Sequence, residues 1–132
     1  MFLRYDVPDC KKLIESPLKQ IGDRALLPDF YQDTITLLEN EDALLFMKGE
    51  SFVVLKPIVE GGTPKLLAWA VYGKNGNSIK KHYPQFKRIA KEIGAEAFQF
   101  WTNNPALQRY YPRLGARHVR DYQQFQIWEI SL

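Results

Sequence analysis

One cysteine, two histidines and no long apolar run set the first limits on this chain of 132 residues. Cys10 has no second cysteine to pair with, so no internal disulfide forms and no cysteine-based metal site exists. The sequence holds no Ser-His-Asp arrangement, no His-x-x-x-His spacing and no acidic dyad, which leaves hydrolase and metalloenzyme chemistry without support. The longest unbroken apolar run, residues 66–72, is far shorter than the roughly 18–20 residues of a membrane-spanning helix, and no membrane partner is expected. The opening MFLRYDVPDCKK carries an early Asp and no apolar core, unlike a signal peptide. A reducing, cytoplasmic setting is the expectation. There is no internal repeat, low-complexity segment or linker. Residues 1–132 are therefore expected to form a single domain, long enough to bury one sizeable core.

The charge that is present is unevenly spread. Residues 1–66 carry eight basic and eleven acidic side chains, a net of −3, whereas residues 67–132 carry ten basic and four acidic, a net of +6. Lys80, Lys81, Lys87, Arg88 and Lys91 fall on one stretch. Such a bias fits an anionic partner for the C-terminal half, or a helix face that only meets water. Nucleic acid is one anionic candidate, with Trp101 or Tyr110 available for stacking. It is the weaker one, because the aromatics mostly occupy strand positions that a core would claim.

Periodicity predicts an α/β fold. Residues 9–20 place Leu13, Ile14 and Leu18 near helical spacing, with Pro17 as a break. Residues 29–40 put Tyr31, Ile35 and Leu38 on one helical face. Residues 2–5 read as a short first strand. Three strands follow at 43–48, 51–59 and 66–72, joined by Gly-containing turns, which predicts an antiparallel meander. The last of these has no polar side, so it is expected at the centre of the sheet, covered on both faces. The period then changes. Ile79, Tyr83, Phe86, Ala90 and Ile93 form one apolar helical stripe, stopped by Gly94. A strand at 97–101, a helix at 106–114 stopped by Gly115, and strands at 118–120 and 122–130 complete the chain.

The segment FKRIAKEIGAEAFQFWTNNPALQRYYPRLGA, residues 86–116, resembles the C-terminal half of the GCN5-related N-acetyltransferase (GNAT) fold. In that family a helix, a small-residue turn and a strand lead into an N-x-x-A-x-x-L-Y-x-x-x-G-F-like helix. Asn104, Tyr111 and Gly115 hold the matching spacing, while Leu107 and Ala116 replace the usual Ala and Phe. The loop from Gly73 to Ser78 is similar to the family's Q/R-x-x-G-x-G/A pyrophosphate loop. Gly76 matches it, Gly73 stands where Gln or Arg is usual, and Ser78 replaces the final small residue. The resemblance implies a GNAT-like mixed, mostly antiparallel sheet flanked by helices, and acetyl-CoA as cofactor. It further implies an N-acyltransferase reaction in which a small-molecule or peptide amine attacks the thioester directly.

The same resemblance implies roles for particular residues. The amides of Gly76, Asn77 and Ser78, with Lys74 beside them, would face the pyrophosphate at a helix N-terminus. The backbone of Val71 and Tyr72 would pair with the pantetheine arm. Asn104 would contact the cofactor or cap the helix that follows it. Tyr111 would be the catalytic general acid for the departing thiolate. No general base is evident: residues 66–72 contain no acid, Glu50 and Glu60 sit at turns, and His82 and His118 stand alone. No metal ligand set is expected. The ending, at residues 86–93, 98–104 and 124–128, also looks like small GNAT-like proteins of tailed phages. A non-catalytic structural or binding protein of that kind is the alternative.

Overall fold

The computed structural model describes residues 2–73 and 78–132, with side chains from residue 82 onward in the second span. Its elements are β1 (Leu3–Tyr5), α1 (Val7–Ala25), α2 (Phe30–Glu39), β2 (Leu44–Lys48), β3 (Ser51–Glu60), β4 (Thr63–Tyr72), α3 (Ser78–Glu92), β5 (Ala97–Thr102), α4 (Pro105–Tyr110), a 3₁₀ turn (Tyr111–Leu114), β6 (Arg117–Tyr122) and β7 (Phe125–Ser131). The strands form one sheet in the order β1-β2-β3-β4-β5-β7-β6. The β2-β3-β4 meander is antiparallel, as expected, and the β4–β5 pair is parallel.

Two apolar layers hold the sheet. On one face α1 lays down Val7, Cys10, Ile14 and Leu18, and α2 adds Phe30, Ile35 and Leu38, against Leu45, Phe52, Val54 and Ala70. On the other face Phe86 and Ala90 of α3 pack with Val53, Leu55, Leu66, Phe98, Phe100 and Ile130. Consecutive residues 52–55 of β3 are all buried because both faces are covered. No described helix is long and apolar enough to cross a membrane.

Two prolines have opposite outcomes. Pro17 does not break α1, which runs through it. The carbonyl it leaves without an amide belongs to Leu13, which is 62% exposed, so water can take that bond, while Ile14 and Leu18 anchor the buried face. Pro112 does interrupt. The expected helix over 106–114 is α-helical only to Tyr110 and tightens into the 3₁₀ turn from Tyr111. Pro112 has no N–H to give to Gln108, so the α-helical ladder cannot continue. Gly115 then ends the segment at φ +86°, a left-handed position that glycine takes without strain.

Candidate functional site

Strand β4 carries a bulge. Val54 pairs with Ala70 and Leu55 with Ala68, so Trp69 is the extra residue. Its consequence appears in the packing: Trp69 and Ala70, although adjacent, both join the layer under α1 and α2. The parallel pairing of β4 with β5 ends at the same level, with Ala68 opposite Phe100. Beyond it, residues 69–72 keep β3 as their strand partner, through Ala70, Val71 and Tyr72, while β5 goes on to pair with β7 through Thr102. The sheet is thus splayed, and among the described residues one backbone edge of β4 from Trp69 to Tyr72 has no strand beside it.

Side chains hold this geometry. The Trp69 indole N–H donates to Thr34 Oγ1 at 2.8 Å, and the Thr34 hydroxyl donates to the Phe30 carbonyl at 2.6 Å. The Trp69 ring stacks on Phe30 at 5.6 Å, and the Lys56 ammonium lies 5.5 Å from its centroid. Tyr72 stacks on Phe52 at 5.5 Å. Val71 and Tyr72, both half-buried, therefore lie on the open edge. Ser78 opens α3. Lys74, Gly76 and Asn77 lie outside the described residues.

Beyond the splay, Thr102 Oγ1 accepts from the Asn104 amide at 3.0 Å, and Asn104 Oδ1 accepts from the Ala106 amide at 2.9 Å. Asn104 is thus a helix cap, one of the two roles open to it from the sequence. Asn103 donates to the Arg24 carbonyl at 3.1 Å, tying this turn to the end of α1. Tyr111 is only 3% exposed. Its ring stacks on Phe100 at 4.9 Å and meets Trp128 at 6.0 Å. Burial pushes its phenol far above the ordinary value, so it stays protonated.

The closed end of the splay holds a polar cluster that strand patterning concealed. Lys65 Nζ donates to Glu129 Oε2 at 2.6 Å and to Glu60 Oε1 at 3.2 Å. Gln99 Nε2 donates to the same two oxygens, at 2.8 Å and 2.9 Å, and Trp101 Nε1 donates to Gln99 Oε1 at 2.7 Å. Arg120 Nη2 donates to Glu60 Oε2 at 2.6 Å. Glu60 is therefore a tethered carboxylate rather than a turn residue that merely meets water. Five strands contribute, and only their register brings the residues together. His118 lies on Trp128 with its Nε2 at 2.7 Å from Asp121 Oδ1, and His82 packs edge-on against Phe2. Among the described residues no group of acids, histidines and cysteine is arranged to hold a metal ion. Two open depressions, of about 390 Å³ along α1 and about 330 Å³ beside β1 and β2, lie away from the splay.

No protein-family model matches the sequence, and no curated protein matches it. Solved structures do match over the whole fold. A PaiA N-acetyltransferase from Thermoplasma acidophilum, in complex with coenzyme A, has a TM-score of 0.68 at 14% identity, covering 100% of this chain and 98% of its own. NAA60 of Arabidopsis thaliana, in complex with acetyl-CoA, gives 0.69 at 14% identity over 100% and 98%. An aminoglycoside 6′-acetyltransferase of type Ii gives 0.67 at 14% over 98% and 94%. This chain has the fold of the GCN5-related N-acetyltransferase superfamily.

Proposed function

We propose that this domain is an acetyl-CoA-dependent N-acyltransferase acting on a small-molecule or peptide amine. The observation that carries the reading is the end of β4–β5 pairing at Ala68 and Phe100. It leaves backbone N–H and C=O groups of residues 69–72 available to an extended ligand, which can bind there as an added strand does. The relatives crystallised with coenzyme A and with acetyl-CoA have the same fold. When bound, acetyl-CoA would supply the acyl thioester that an amine attacks. The Val71 and Tyr72 backbone would hold its pantetheine arm. The start of α3, with Lys74, Gly76, Asn77 and Ser78, would receive the phosphates, and Asn104 would fix the helix that leads into Tyr111. Tyr111, kept protonated by burial, would give its proton to the sulfur as the carbon–sulfur bond breaks.

Thermal melting with acetyl-CoA at about 100 times its dissociation constant should add roughly 2.7 kcal/mol of stability. No shift with acetyl-CoA or desulfo-CoA overturns the reading. Where binding is seen, Tyr111→Phe should slow thiol release with an amine panel by on the order of 100-fold at nearly constant acetyl-CoA affinity. Equal turnover would remove Tyr111 from the mechanism. A non-catalytic binding domain is the second reading, favoured by the close packing of Tyr111 and by the lack of an acid on β4 from Leu66 to Tyr72. Tight acetyl-CoA binding without transfer to any amine would select it.

A further inference from the structure

Trp101 stands at the mouth of the splay. Pairing of β5 with β4 ends at Phe100, and Trp101 is the first residue past it. Phe98, Phe100 and Tyr111 belong to the layer that α3 covers. Side chains alternate along a strand, so Trp101 points to the opposite face, the one that carries α1 and α2. Its indole N–H is tied to Gln99, and its ring meets Tyr122 at 5.7 Å and Phe125 at 5.9 Å while staying partly open to water. Two side-chain amides draw the end of α1 to the same corner. Asn103 donates to the Arg24 carbonyl at 3.1 Å, and Gln124 donates to the Ala25 carbonyl at 2.8 Å. Leu26 comes next and is 72% exposed. Leu26, Trp101 and Tyr122 thus bring three exposed, large apolar side chains to one corner. The backbone is strained there as well. Among the described residues three other than glycine have positive φ, and two of them, Leu26 at +60° and Gln123 at +54°, border this corner. A left-handed leucine costs backbone energy that glycine would avoid, and such strain gathers at functional sites. The nearby carboxylates are already taken. Lys65 and Gln99 hold Glu60 and Glu129, Arg120 also holds Glu60, and Asp23 adjoins the opposite charge of Arg24 at the end of α1.

We infer that the acceptor is a single amine carried on an aromatic group, and that Trp101, Tyr122 and Leu26 form the surface that binds this group. The inference rests on the acetyl-CoA reading. The fold sets the side of approach. The aromatic layer with Tyr111 fills one face of the sheet at the splay, so an amine reaches the thioester from the other face, past Trp101. A ring laid against Trp101 removes apolar surface of both partners from water, and the tilted Trp101–Tyr122 pair offers it both a ring face and a ring edge. A polyamine would bring further ammonium groups to a corner whose carboxylates already have partners, which is a cost without a matching gain. The surface selects the amine and adds no covalent step to the acyl transfer.

The test follows thiol release by the whole domain, saturated with acetyl-CoA, with 2-phenylethylamine, ethylamine and spermidine, compared per concentration of neutral amine. The parent should have a kcat/KM for 2-phenylethylamine about 10-fold above that for ethylamine, the range of one partly buried ring, and spermidine should do no better than ethylamine. Trp101→Ala should raise KM for 2-phenylethylamine about 10-fold at nearly constant kcat. It should leave ethylamine turnover and acetyl-CoA affinity, read by titration calorimetry, as in the parent. Tyr122→Ala changes an exposed side chain and should act in the same direction, about threefold; it decides the matter where Trp101→Ala does not fold. A preference for spermidine overturns the inference, as do equal effects of the variants on both monoamines, unchanged KM in both variants, or acetyl-CoA binding without transfer to 2-phenylethylamine. Failure of the parent to bind acetyl-CoA is a different result: it sinks the cofactor reading itself, and this assignment with it.

Discussion

The two ends of the β4–β5 pair are fastened in opposite ways. At the closed end, from Lys65 to Ala68, the strands are hydrogen-bonded and pinned from the side by Lys65, Gln99, Glu129, Glu60 and Arg120. At the open end, from Trp69 to Tyr72, β4 has left β5, and a helix holds it through the bond from Trp69 to Thr34. Charge is buried where the sheet must stay shut. Backbone is left unpaired where it opens. The bulge at Trp69 divides the two regimes, because one extra residue bends the strand and re-aims its side chains. A splay made this way is built into the free protein and does not need a ligand to pry it apart.

The largest test of this contrast is at the closed end. Glu129→Ala leaves Lys65 and the fully buried Gln99 short of their main acceptor, and breaking a buried pair from one side costs about 3–5 kcal/mol. Guanidinium unfolding should show a lower midpoint at an unchanged slope. Replacing both partners, Lys65→Met with Glu129→Leu, should recover much of the loss, since no lone charge then remains. If the single variant matches the parent, the cluster is not what closes the sheet.

At the open end the expected effect is smaller. Thr34→Val keeps the shape of a fully buried side chain but removes the acceptor of the Trp69 indole N–H, at a cost of about 1–2 kcal/mol. Thr34→Ser should restore most of it by returning the hydroxyl. Trp69 fluorescence should change in the valine variant and return in the serine variant. The same stability loss in both would mean that the methyl packing of Thr34 matters, and not its hydrogen bond to the bulge.

How far these features could be read from the sequence depends on how local their causes are. The meander, the inward positions Tyr83, Phe86 and Ala90 of α3, the stops at Gly94 and Gly115 and the cap at Asn104 arise within a few residues of one another, and each was legible. Ile93, expected on the same stripe, lies past the end of α3 and is 44% exposed, and the side chain of Ile79 lies outside the described residues. Pro17 was legible as a residue but not as an outcome, whereas the missing amide of Pro112 already marks a kink. A proline's effect depends on whether the orphaned carbonyl reaches water and on what the next turn does. The break between the last two strands falls after Tyr122, where residues 123–124 form the hairpin turn, rather than just before it. The bulge and the acid–amide cluster had no local signature. In the pattern Ala97-Phe98-Gln99-Phe100, Gln99 looks like an outward position on a half-buried strand. It becomes a core residue only because strand register sets it beside Glu129, thirty positions away. The phosphate loop was read from residue types alone, and Lys74, Gly76 and Asn77 lie outside the described residues.

The finest test uses protons instead of mutations to loosen the closed end. Burial pushes the Glu60 carboxyl upward, but hydrogen bonds from Gln99, Lys65 and Arg120 outweigh it and hold the group below its ordinary 4.5. For Lys65, the hydrogen bond to Glu129 lifts the ammonium above its ordinary 10.5, against the pull of burial and with help from Glu60. The signs are opposite. The contribution of Glu60 is present above pH 4.5 and drains away as pH falls through its lowered folded value. The contribution of Lys65 is complete below pH 10.5 and drains away as pH rises through its raised folded value. Between those limits these two groups add no slope to the stability of the domain. Glu60→Gln should flatten part of the acid-side decline in a denaturant midpoint measured against pH, and leave an alkaline-side decline from Lys65. Lys19→Ala, which breaks the exposed pair with Glu15, should move the midpoint little at any pH. An acid limb that is the same with and without Glu60 would show that its three donors do not act through its charge. The contrast between the pinned and open ends would then rest on packing alone.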